Sequence, residues 1–413
     1  TEHGRKIREL REELNWFFHM TEKAQVEQAS RQQLSALRAD SQRRERELLK
    51  LSREHGSADD RAQEAQLVSS FTIDEVRQSV PADTVLLDYF QVRDQMVVLL
   101  LRHDRLEIVP LGELPRIATA LDLLQLQLSK LRLGPEYVEQ FAGVLLQATQ
   151  THLHELYKLL VEPIRDLLNA RHLVVAPYGI LHQLPFHALF DGRQYLIDEF
   201  TVSYAPSASV YALCQQRSAG TTSRSSGRGA LVLGIPDPAV PFVAEEVEAV
   251  ATSLPGSEVL LGEEATVERL REHGPSSRFI HIATHGHFRQ DNPMFSGIKL
   301  GDSYLSLYDL YQLKLPAELI ALSGCSTGLN VVAAGDELLG LARGLIHAGA
   351  ETSMLTLWDV QDQSSAQLMK LFYSNLAGGA DNKAAALQRA MRELKSERPH
   401  PYHWAPFVLM GKG

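Results

Sequence analysis

The sequence predicts an α/β protein built on a largely parallel sheet, preceded by a separate helical segment. Two observations predict the sheet: three consecutive strand-like runs between residues 84 and 109, and a regular alternation of strands and helices from residue 230 onward. A third observation predicts the helical segment, because residues 1 to 70 lack proline and carry apolar residues at three- and four-residue spacing. A length of 413 residues suits two or three domains.

The helical segment is assigned to residues 1–79. Its first apolar stripe consists of Ile7, Leu10, Leu14 and Phe17. A second stripe is thinner and is interrupted by Ser41 and Arg44, so the second helix needs a neighbour to be stable. We interpret the segment as the end of a helical repeat array or as a helical hairpin, and the alternative is a solvated extension without a specific partner. The chain begins with Thr rather than Met, and we expect it to be part of a longer protein.

Residues 80–215 are predicted to form a first half of the sheet domain. Before it, Thr72 and Glu75 of "TIDE" form a capping box that starts a short helix, which ends ahead of Pro81. The strand-like runs are "TVLLDYF", "QMVVLLL", "RLEIV", "HLVVAP" and "TVSYAPS". Leucine-rich helical stretches fill residues 113–170 between the third and the fourth run.

Residues 216–229, "QRSAGTTSRSSGRG", are predicted to be a linker because they are rich in Ser, Gly and Thr. Residues 230–413 then form the second half. Its predicted strands are "ALVLGI", "EVLL", "RFIHIAT", "LIALSG" and "TSMLTLW", and helices lie between most of them. Strands that alternate with helices imply right-handed crossovers and a largely parallel sheet. In such sheets, sites form at the carboxyl ends of the strands.

Composition excludes several classes of function. A formal charge of −10 argues against a general nucleic-acid binder or a membrane-surface protein, because phosphate surfaces require clustered Lys and Arg. The sequence has no apolar run long enough to span a membrane and no signal-peptide core at its N-terminus, and we expect a cytoplasmic location. Cys214 and Cys325 are the two cysteines, too few for a disulfide framework or a multi-cysteine zinc site.

Reactive side chains follow two of the predicted strands. "RFIHIATHG" ends at His285 and Gly286, and "LIALSGCSTG" ends at Cys325 among small residues. If the two strands are neighbours, a thiol and an imidazole meet at one edge of the sheet. The predicted function is then a Cys-His dyad for acyl transfer, with the backbone amides of Gly286 and Cys325 as oxyanion donors and no cofactor.

Two other interpretations of these residues stay open. Cys325 is alternatively a small buried residue at a strand end, as lone cysteines often are. On an extended strand, His281, His285 and His287 would face the same side, because they are separated by even numbers of residues. The alternative is that they bind a metal for hydrolysis. Against the metal, Gly286 interrupts the strand and no carboxylate lies at a ligand spacing, so we predict no metal and interpret His281 as a core residue that orients its neighbours.

An ordered set of motifs resembles one known family. The motifs are "LLDYFQV", "LVVAPYGILHQLPFHALFDG", "YLIDEFTVSYAPSAS", "HIATHGHF", "ALSGCSTGL", "GLARGLIHAGA", "LWDVQDQSSAQLMKLFY" and "WAPFVLMG". From about residue 80 to the end they resemble the CHAT family, caspase-like cysteine peptidases of bacteria that are often fused to tetratricopeptide repeats. The resemblance implies a caspase- and separase-like α/β/α sandwich, with an inactive half before the linker and an active half after it.

The resemblance also implies roles for particular residues. His285 matches the family's catalytic histidine, Cys325 matches the nucleophile, and His281 matches a second common histidine outside the dyad. Many members carry Glu where Ser326 stands, and this departure is closer to the separase form. In related enzymes an acidic residue after the next strand binds a basic side chain of the substrate, and Asp359 and Asp362 lie in that region. Asp362 is alternatively a helix cap.

The resulting prediction is an endopeptidase that cleaves protein substrates after Arg or Lys. The resemblance implies regulation by a protein or ribonucleoprotein partner bound by the N-terminal helices, and several members act in bacterial defence. The alternatives are a pseudo-peptidase scaffold, which uses the same fold to bind proteins, and a metal-dependent hydrolase that uses the three histidines. Chelator-sensitive activity that survives thiol alkylation would favour the hydrolase.

Overall fold

The structure is a computed structural model of the chain. It describes residues 2–26, 30–55, 71–219, 229–237, 241–287, 292–324, 334–358, 362–380 and 382–413. The chain divides into two compact units, Thr1–Ser69 and Ser70–Gly413.

In the residues that the structure describes, the first unit contains two helices, α1 (Glu2–Val26) and α2 (Arg31–His55). They run antiparallel, because Lys6 lies 3.0 Å from Glu47 while Arg44 pairs with Glu13. Leu10 and Leu14 of the predicted first stripe are buried, and Leu48 of α2 is buried as well. Ser41, which interrupts the second stripe, is also buried, and its hydroxyl donates a 3.0 Å hydrogen bond to Glu45.

The second unit is built on an eleven-stranded sheet and a smaller three-stranded sheet. The strands are β1 (Thr84–Val92), β2 (Gln95–Leu101), β3 (Leu106–Glu113), β4 (His172–Ala176), β5 (Thr201–Tyr204), β6 (Ala230–Gly234), β7 (Glu258–Leu261), β8 (Phe279–Ala283), β9 (Gly286–His287), β10 (Gly297–Lys299), β11 (Tyr304–Ser306), β12 (Leu319–Ser323), β13 (Thr352–Thr356) and β14 (Phe407–Gly411). The helices are α3 (Ile73–Ser79), α4 (Leu114–Ser129), α5 (Pro135–Leu160), α6 (Leu196–Glu199), α7 (Ala208–Ala219), α8 (Val243–Ser253), α9 (Val267–His273), α10 (Leu307–Leu310), α11 (Ala334–Ala348), α12 (Asp362–Ala377), α13 (Lys383–Glu397) and α14 (Pro401–Trp404).

The order of the large sheet is β3-β2-β1-β4-β5-β14-β13-β12-β8-β6-β7, and most neighbours are parallel. Every residue of β6, β8, β12 and β14 is buried, so both faces of the sheet are covered there. β14 joins the two predicted halves, because it pairs with β13 on one side and with β5 through Met410 and Tyr204 on the other. The predicted α/β fold with a large, mainly parallel sheet is confirmed.

The helix α3 begins with the predicted capping box. The Thr72 amide donates to Glu75 at 2.7 Å, and the Glu75 amide donates to the Thr72 hydroxyl at 3.3 Å. Val76 and Val80 are buried against a cluster that includes Tyr211 of α7, so this helix belongs to the second unit. The predicted boundary of the helical segment at residue 79 is therefore too late, and the division falls between residues 69 and 70.

The first four residues of the predicted linker are helical. Helix α7 extends to Ala219, so residues 216–219 are helical rather than part of a linker. Arg217 stabilises this last turn, because its guanidinium donates a 2.6 Å hydrogen bond to the carbonyl oxygen of Ile346. Residues 220–228 lie outside the described part of the chain.

A helix that spans a membrane needs about 20 consecutive, mainly apolar residues. Within the described ranges, no helix combines the length and the apolar character needed to cross a bilayer.

Candidate active site

The two strands that carry the predicted dyad are parallel neighbours. β8 and β12 pair in register from Phe279 with Leu319 to Ala283 with Ser323, so partners are 40 positions apart. His285 and Cys325 have the same separation in sequence. Cys325 itself lies outside the described residues, as does the segment 325–333.

The backbone fixes His285 just beyond the end of β8. The amide of Thr284 donates a 2.9 Å hydrogen bond to the carbonyl oxygen of Ser323, and the amide of Lys299 donates a 2.9 Å bond to that of His285. Gly286 belongs to β9 and pairs with Ile298. These contacts hold His285 between the large and the small sheet, with only 7% of the residue exposed.

Gly324 lies directly against this segment. A Cβ atom at Gly324 would approach the carbonyl oxygen of Thr284 more closely than real Cβ atoms do, and it would lie 3.9 Å from the amide nitrogen of Gly286. The carbonyl oxygen of Gly324 accepts a 3.0 Å hydrogen bond from the Thr356 hydroxyl of β13. The residue before Cys325 is therefore held against the residues on either side of His285.

The imidazole of His285 faces a carboxylate that sequence reasoning missed. Its Nε2 atom lies 3.4 Å from Oδ1 of Asp237, whose side chain is 29% exposed. Asp237 follows β6, and β6 pairs directly with β8 up to Gly234 and Ala283. Nδ1 of His285 is buried and has no hydrogen-bond partner among the described residues.

This geometry selects a tautomer. A carboxylate beside Nε2 favours a proton on that nitrogen, and the lone pair of Nδ1 is then available to accept a proton. The sequence did contain one signal for Asp237, since "LVLGIPD" places a carboxylate just after a buried strand of the same sheet.

His281 occupies a different environment from His285. It is buried in β8, where Nε2 lies 2.9 Å from Oε1 of Glu246 and Nδ1 lies 3.3 Å from the Tyr373 hydroxyl. Both ring nitrogens therefore have partners in the core, as expected for a residue that orients its neighbours. Because β8 ends at Ala283, His281 and His285 do not share one extended strand, which removes the parity argument for a metal site.

The remaining predicted site residues are only partly described. Asp359 lies outside the described residues, whereas Asp362 is the first residue of helix α12, although its side chain and that of His287 are not described. Across the described ranges, no group of three or more His, Cys, Asp and Glu side chains is placed to hold a metal ion.

Cys214, the other cysteine of the chain, is part of the core. It is fully buried in α7, and burial raises the pKa of its thiol to about 12. A thiol with this pKa remains protonated and unreactive at neutral pH.

Comparison with known proteins identifies relatives of this chain. The chain is 28% identical to tetratricopeptide repeat protein 28 of Mus musculus and of Homo sapiens, in matches that cover 63% of this chain and 13% of each relative. It thus spans a small part of these proteins. The structure of separase in the Saccharomyces cerevisiae separase–securin complex is similar in fold, with a TM-score of 0.57, 11% identity, and coverage of 84% of this chain and 31% of separase.

A family model decides the assignment. The CHAT domain matches residues 150–412, which is more than half of the chain and includes both candidate strand ends. The protein belongs to the CHAT-domain family.

Proposed function

We propose that this protein is a cysteine endopeptidase in which Cys325 is the nucleophile and His285 is the general base and acid. One observation carries the proposal: His285 is buried beside Asp237, and its Nδ1 atom has no partner among the described residues. Thr284, the residue before His285, contacts Gly324. Gly324 immediately precedes Cys325, so the sequence places the thiol next to this contact. A general base needs such a position within reach of the proton that it accepts.

The proposed reaction has two stages. The Cys325 sulfur, after losing its proton to His285, forms a bond to the carbonyl carbon of the peptide, and backbone amides near Gly286 and Cys325 stabilise the oxyanion. The carbon–nitrogen bond then breaks as the imidazolium of His285 gives its proton to the leaving amine. Water hydrolyses the resulting thioester, which releases the acid and restores the thiol.

The proposed specificity is for Arg or Lys before the cleaved bond. Asp359 and Asp362 follow β13, the neighbour of β12, so both lie close in sequence to the correct edge of the sheet. A carboxylate shielded from water binds a guanidinium in a bidentate manner and an ammonium as a point charge. The position of Asp362 at the first residue of α12 also suits a capping role, and the two roles are compatible.

The test is cleavage of fluorogenic peptides by the intact chain, by Cys325→Ala and by Cys214→Ala. We expect cleavage after Arg or Lys that is lost in Cys325→Ala, persists in Cys214→Ala and resists chelators. Cys214 is the matched control because its thiol is buried and unreactive. Cleavage that survives Cys325→Ala would refute the proposal.

Alkylation adds a measurement that does not depend on the substrate. Since Cys214 has a pKa raised to about 12, iodoacetamide applied to the native chain should react at Cys325. A poised thiolate reacts rapidly near neutral pH, and His285→Ala should slow this reaction. Slow labelling together with no cleavage would instead indicate a pseudo-peptidase.

We also propose that the helices of the first unit bind a regulatory protein or ribonucleoprotein. Trp16 of α1 is 54% exposed, and a large exposed aromatic side chain is typical of interaction surfaces. Rapid alkylation of Cys325 without peptide cleavage would indicate a latent enzyme that awaits such a partner. Strong cleavage of cellular proteins by the isolated chain would argue against regulation.

A further inference from the structure

The strands β1, β2 and β3 have one well-packed face and one face that is only partly covered. Alternate residues of a strand point to opposite faces, and Val85, Leu87 and Tyr89 of β1 pack in the main core with residues of α4 and α5. On the opposite face, α3 and α7 pack against Leu86 of β1 and Leu101 of β2. The rest of that face lies beyond these two helices.

Two rows of residues across the three strands form the partly covered surface, which we call the β1–β3 face. The strand register places Asp88, Leu99 and Ile108 in the first row and Phe90, Val97 and Pro110 in the second. Ile108 is 62% exposed, Pro110 is exposed and Asp88, Phe90 and Leu99 are half-buried. A sheet face that meets water normally carries polar side chains, whereas five of these six residues are apolar. Such a composition is typical of a surface that another protein covers.

Asp88 is the one charged residue of the two rows. Among the described residues, its carboxylate has no hydrogen bond and no ion pair. Burial raises the pKa of the Asp88 carboxyl to about 6, so the group is still charged at neutral pH. A carboxylate that has lost water without gaining a partner is unfavourable, and a Lys or Arg placed beside it would offset that cost.

The dimensions of the β1–β3 face suit one helix. Three neighbouring strands span about 10 Å, and this is about the width of an α-helix with its side chains. The elements that cover the adjoining part of the same face, α3 and α7, are also helices. One more helix would therefore extend an existing layer of the fold.

We propose that the β1–β3 face binds an amphipathic helix of a partner protein, and that a Lys or Arg within the apolar stripe of this helix pairs with Asp88. The apolar stripe packs on Leu99, Ile108 and Phe90. The face lies in the half of the domain that lacks the proposed dyad, and the inference does not depend on the proposed function.

The charge of Asp88 argues against a second copy of this chain as the occupant. A symmetric dimer through the β1–β3 face would bring two Asp88 carboxylates toward each other, and like charges repel strongly in an apolar interface. Sedimentation of the intact chain tests this alternative. A dimer that Ile108→Asp dissociates would assign the face to a second copy and overturn the inference.

The test begins with a selection from phage-displayed helical peptides of about 18 residues, a length at which a helix can form in isolation. Each peptide has Leu at helical spacing, and the central positions of this apolar stripe are randomised. We expect peptides selected on the intact chain to carry Lys or Arg at one central position. Selection of acidic or apolar residues there, or failure to obtain any peptide that binds the intact chain, would overturn the inference.

A charge exchange then tests the pairing with Asp88. Fluorescence anisotropy compares one selected peptide with the same peptide carrying Glu in place of the Lys or Arg. The intact chain should bind the basic peptide about tenfold more tightly, and Asp88→Lys should prefer the Glu peptide. Asp88→Asn, which keeps the size of the side chain, should bind the two peptides equally. A preference for the basic peptide that persists in Asp88→Asn would overturn the pairing.

A pair of variants locates the binding surface. Ile108→Asp places a second carboxylate in the apolar rows and should weaken peptide binding by at least about tenfold. Val259→Asp is the matched control, because Val259 is also an exposed β-branched residue of an edge strand, β7, at the opposite edge of the sheet. Thermal unfolding checks that both variants are folded. Equal binding by Ile108→Asp and Val259→Asp would show that the peptide does not use the β1–β3 face.

The nucleophile variant separates this inference from the proposed function. Cys325→Ala should bind the basic peptide as tightly as the intact chain, because no residue of the β1–β3 face belongs to the proposed dyad. Loss of binding in Cys325→Ala would mean that the peptide occupies the candidate active site instead, and would overturn the inference.

Discussion

Oδ1 of Asp237 lies 3.4 Å from Nε2 of His285, although 48 residues of sequence separate them. Their strands, β6 and β8, are adjacent in the sheet, so the two side chains emerge at the same edge. A carboxylate in this position orients the imidazole. We therefore expect Asp237 to act as a positioning residue for His285.

Exchange of Asp237 for Asn should lower kcat by about 10- to 100-fold without a change in thermal unfolding, because the amide retains the size but not the charge of the carboxylate. Peptide cleavage kinetics and thermal unfolding measure the two quantities.

The matched control is Glu258→Gln, which removes a similar contact between a carboxylate and an imidazole away from the site. Glu258 lies 2.8 Å from His273 and is 39% exposed. This variant should retain the rate of the unchanged chain. An Asp237→Asn chain with the same kinetics as the unchanged chain would show that Asp237 does not position His285.

Gly324 is expected to tolerate no side chain. A Cβ atom there would collide with the backbone oxygen of Thr284, which cannot move without displacing the end of β8. Gly324→Ala should therefore lower the free energy of unfolding by about 1–3 kcal/mol and slow the alkylation of Cys325. Thermal unfolding and iodoacetamide labelling measure the two effects.

Gly143→Ala is the control for this substitution. Gly143 lies in helix α5, and a methyl group added there would have no neighbouring atom within 4 Å. Ala should therefore stabilise the chain slightly through its higher helix propensity. Equal stability of Gly324→Ala and Gly143→Ala would mean that the close approach at Gly324 is not important for the fold.

Most of the sheet could be predicted because its strands are short, continuous apolar runs that alternate with amphipathic helices. The neighbourhood of β8 and β12, on which the dyad prediction depends, follows from the same pattern and is confirmed by their register. The contact between His285 and the thiol stays a prediction, because Cys325 lies outside the described residues.

The order of strands could not be predicted. β6 pairs with both β7 and β8. The sequence alone does not tell which of the two strands lies at the edge of the sheet and which lies between β6 and the middle of the sheet. Asp237 was missed for this reason.

The buried pair of His281 and Glu246 should contribute strongly to stability. Their side chains are 0% and 2% exposed and 2.9 Å apart, so loss of the carboxylate would leave a buried ring nitrogen without its partner. Glu246→Ala should reduce the free energy of unfolding by about 3 kcal/mol, and Glu246→Gln, which keeps a hydrogen-bonding group, should reduce it less.

Glu248→Ala provides the comparison, because Glu248 is an exposed residue of the same helix α8. Urea unfolding of the three variants gives the measurement, and Glu248→Ala should change the stability by less than about 0.5 kcal/mol. Similar losses in Glu246→Ala and Glu248→Ala would rule out a special contribution from the buried pair.

Acid should destabilise the second unit through buried histidines. His187 lies 2.8 Å from the Tyr204 hydroxyl and 3.0 Å from the carbonyl oxygen of Ala405, and His400 lies 3.1 Å from the Thr149 hydroxyl. Burial lowers the pKa of both imidazoles from the ordinary value of 6.5 to about 4. Both are therefore neutral in the folded chain at pH values where the unfolded chain has them protonated.

The sign of the pH dependence follows from this difference. Between pH 6.5 and about 4 the unfolded chain binds more protons than the folded chain, so the free energy of unfolding falls as the pH is lowered through this window. Each such histidine contributes a slope of about 1.4 kcal/mol per pH unit. Urea unfolding at a series of pH values measures this slope. The slope should fall by the contribution of one histidine in His187→Gln and in His400→Gln, and by the contribution of two in the double variant, whatever the absolute stability of each chain. An unchanged slope in the double variant would mean that these histidines do not cause the loss of stability in acid.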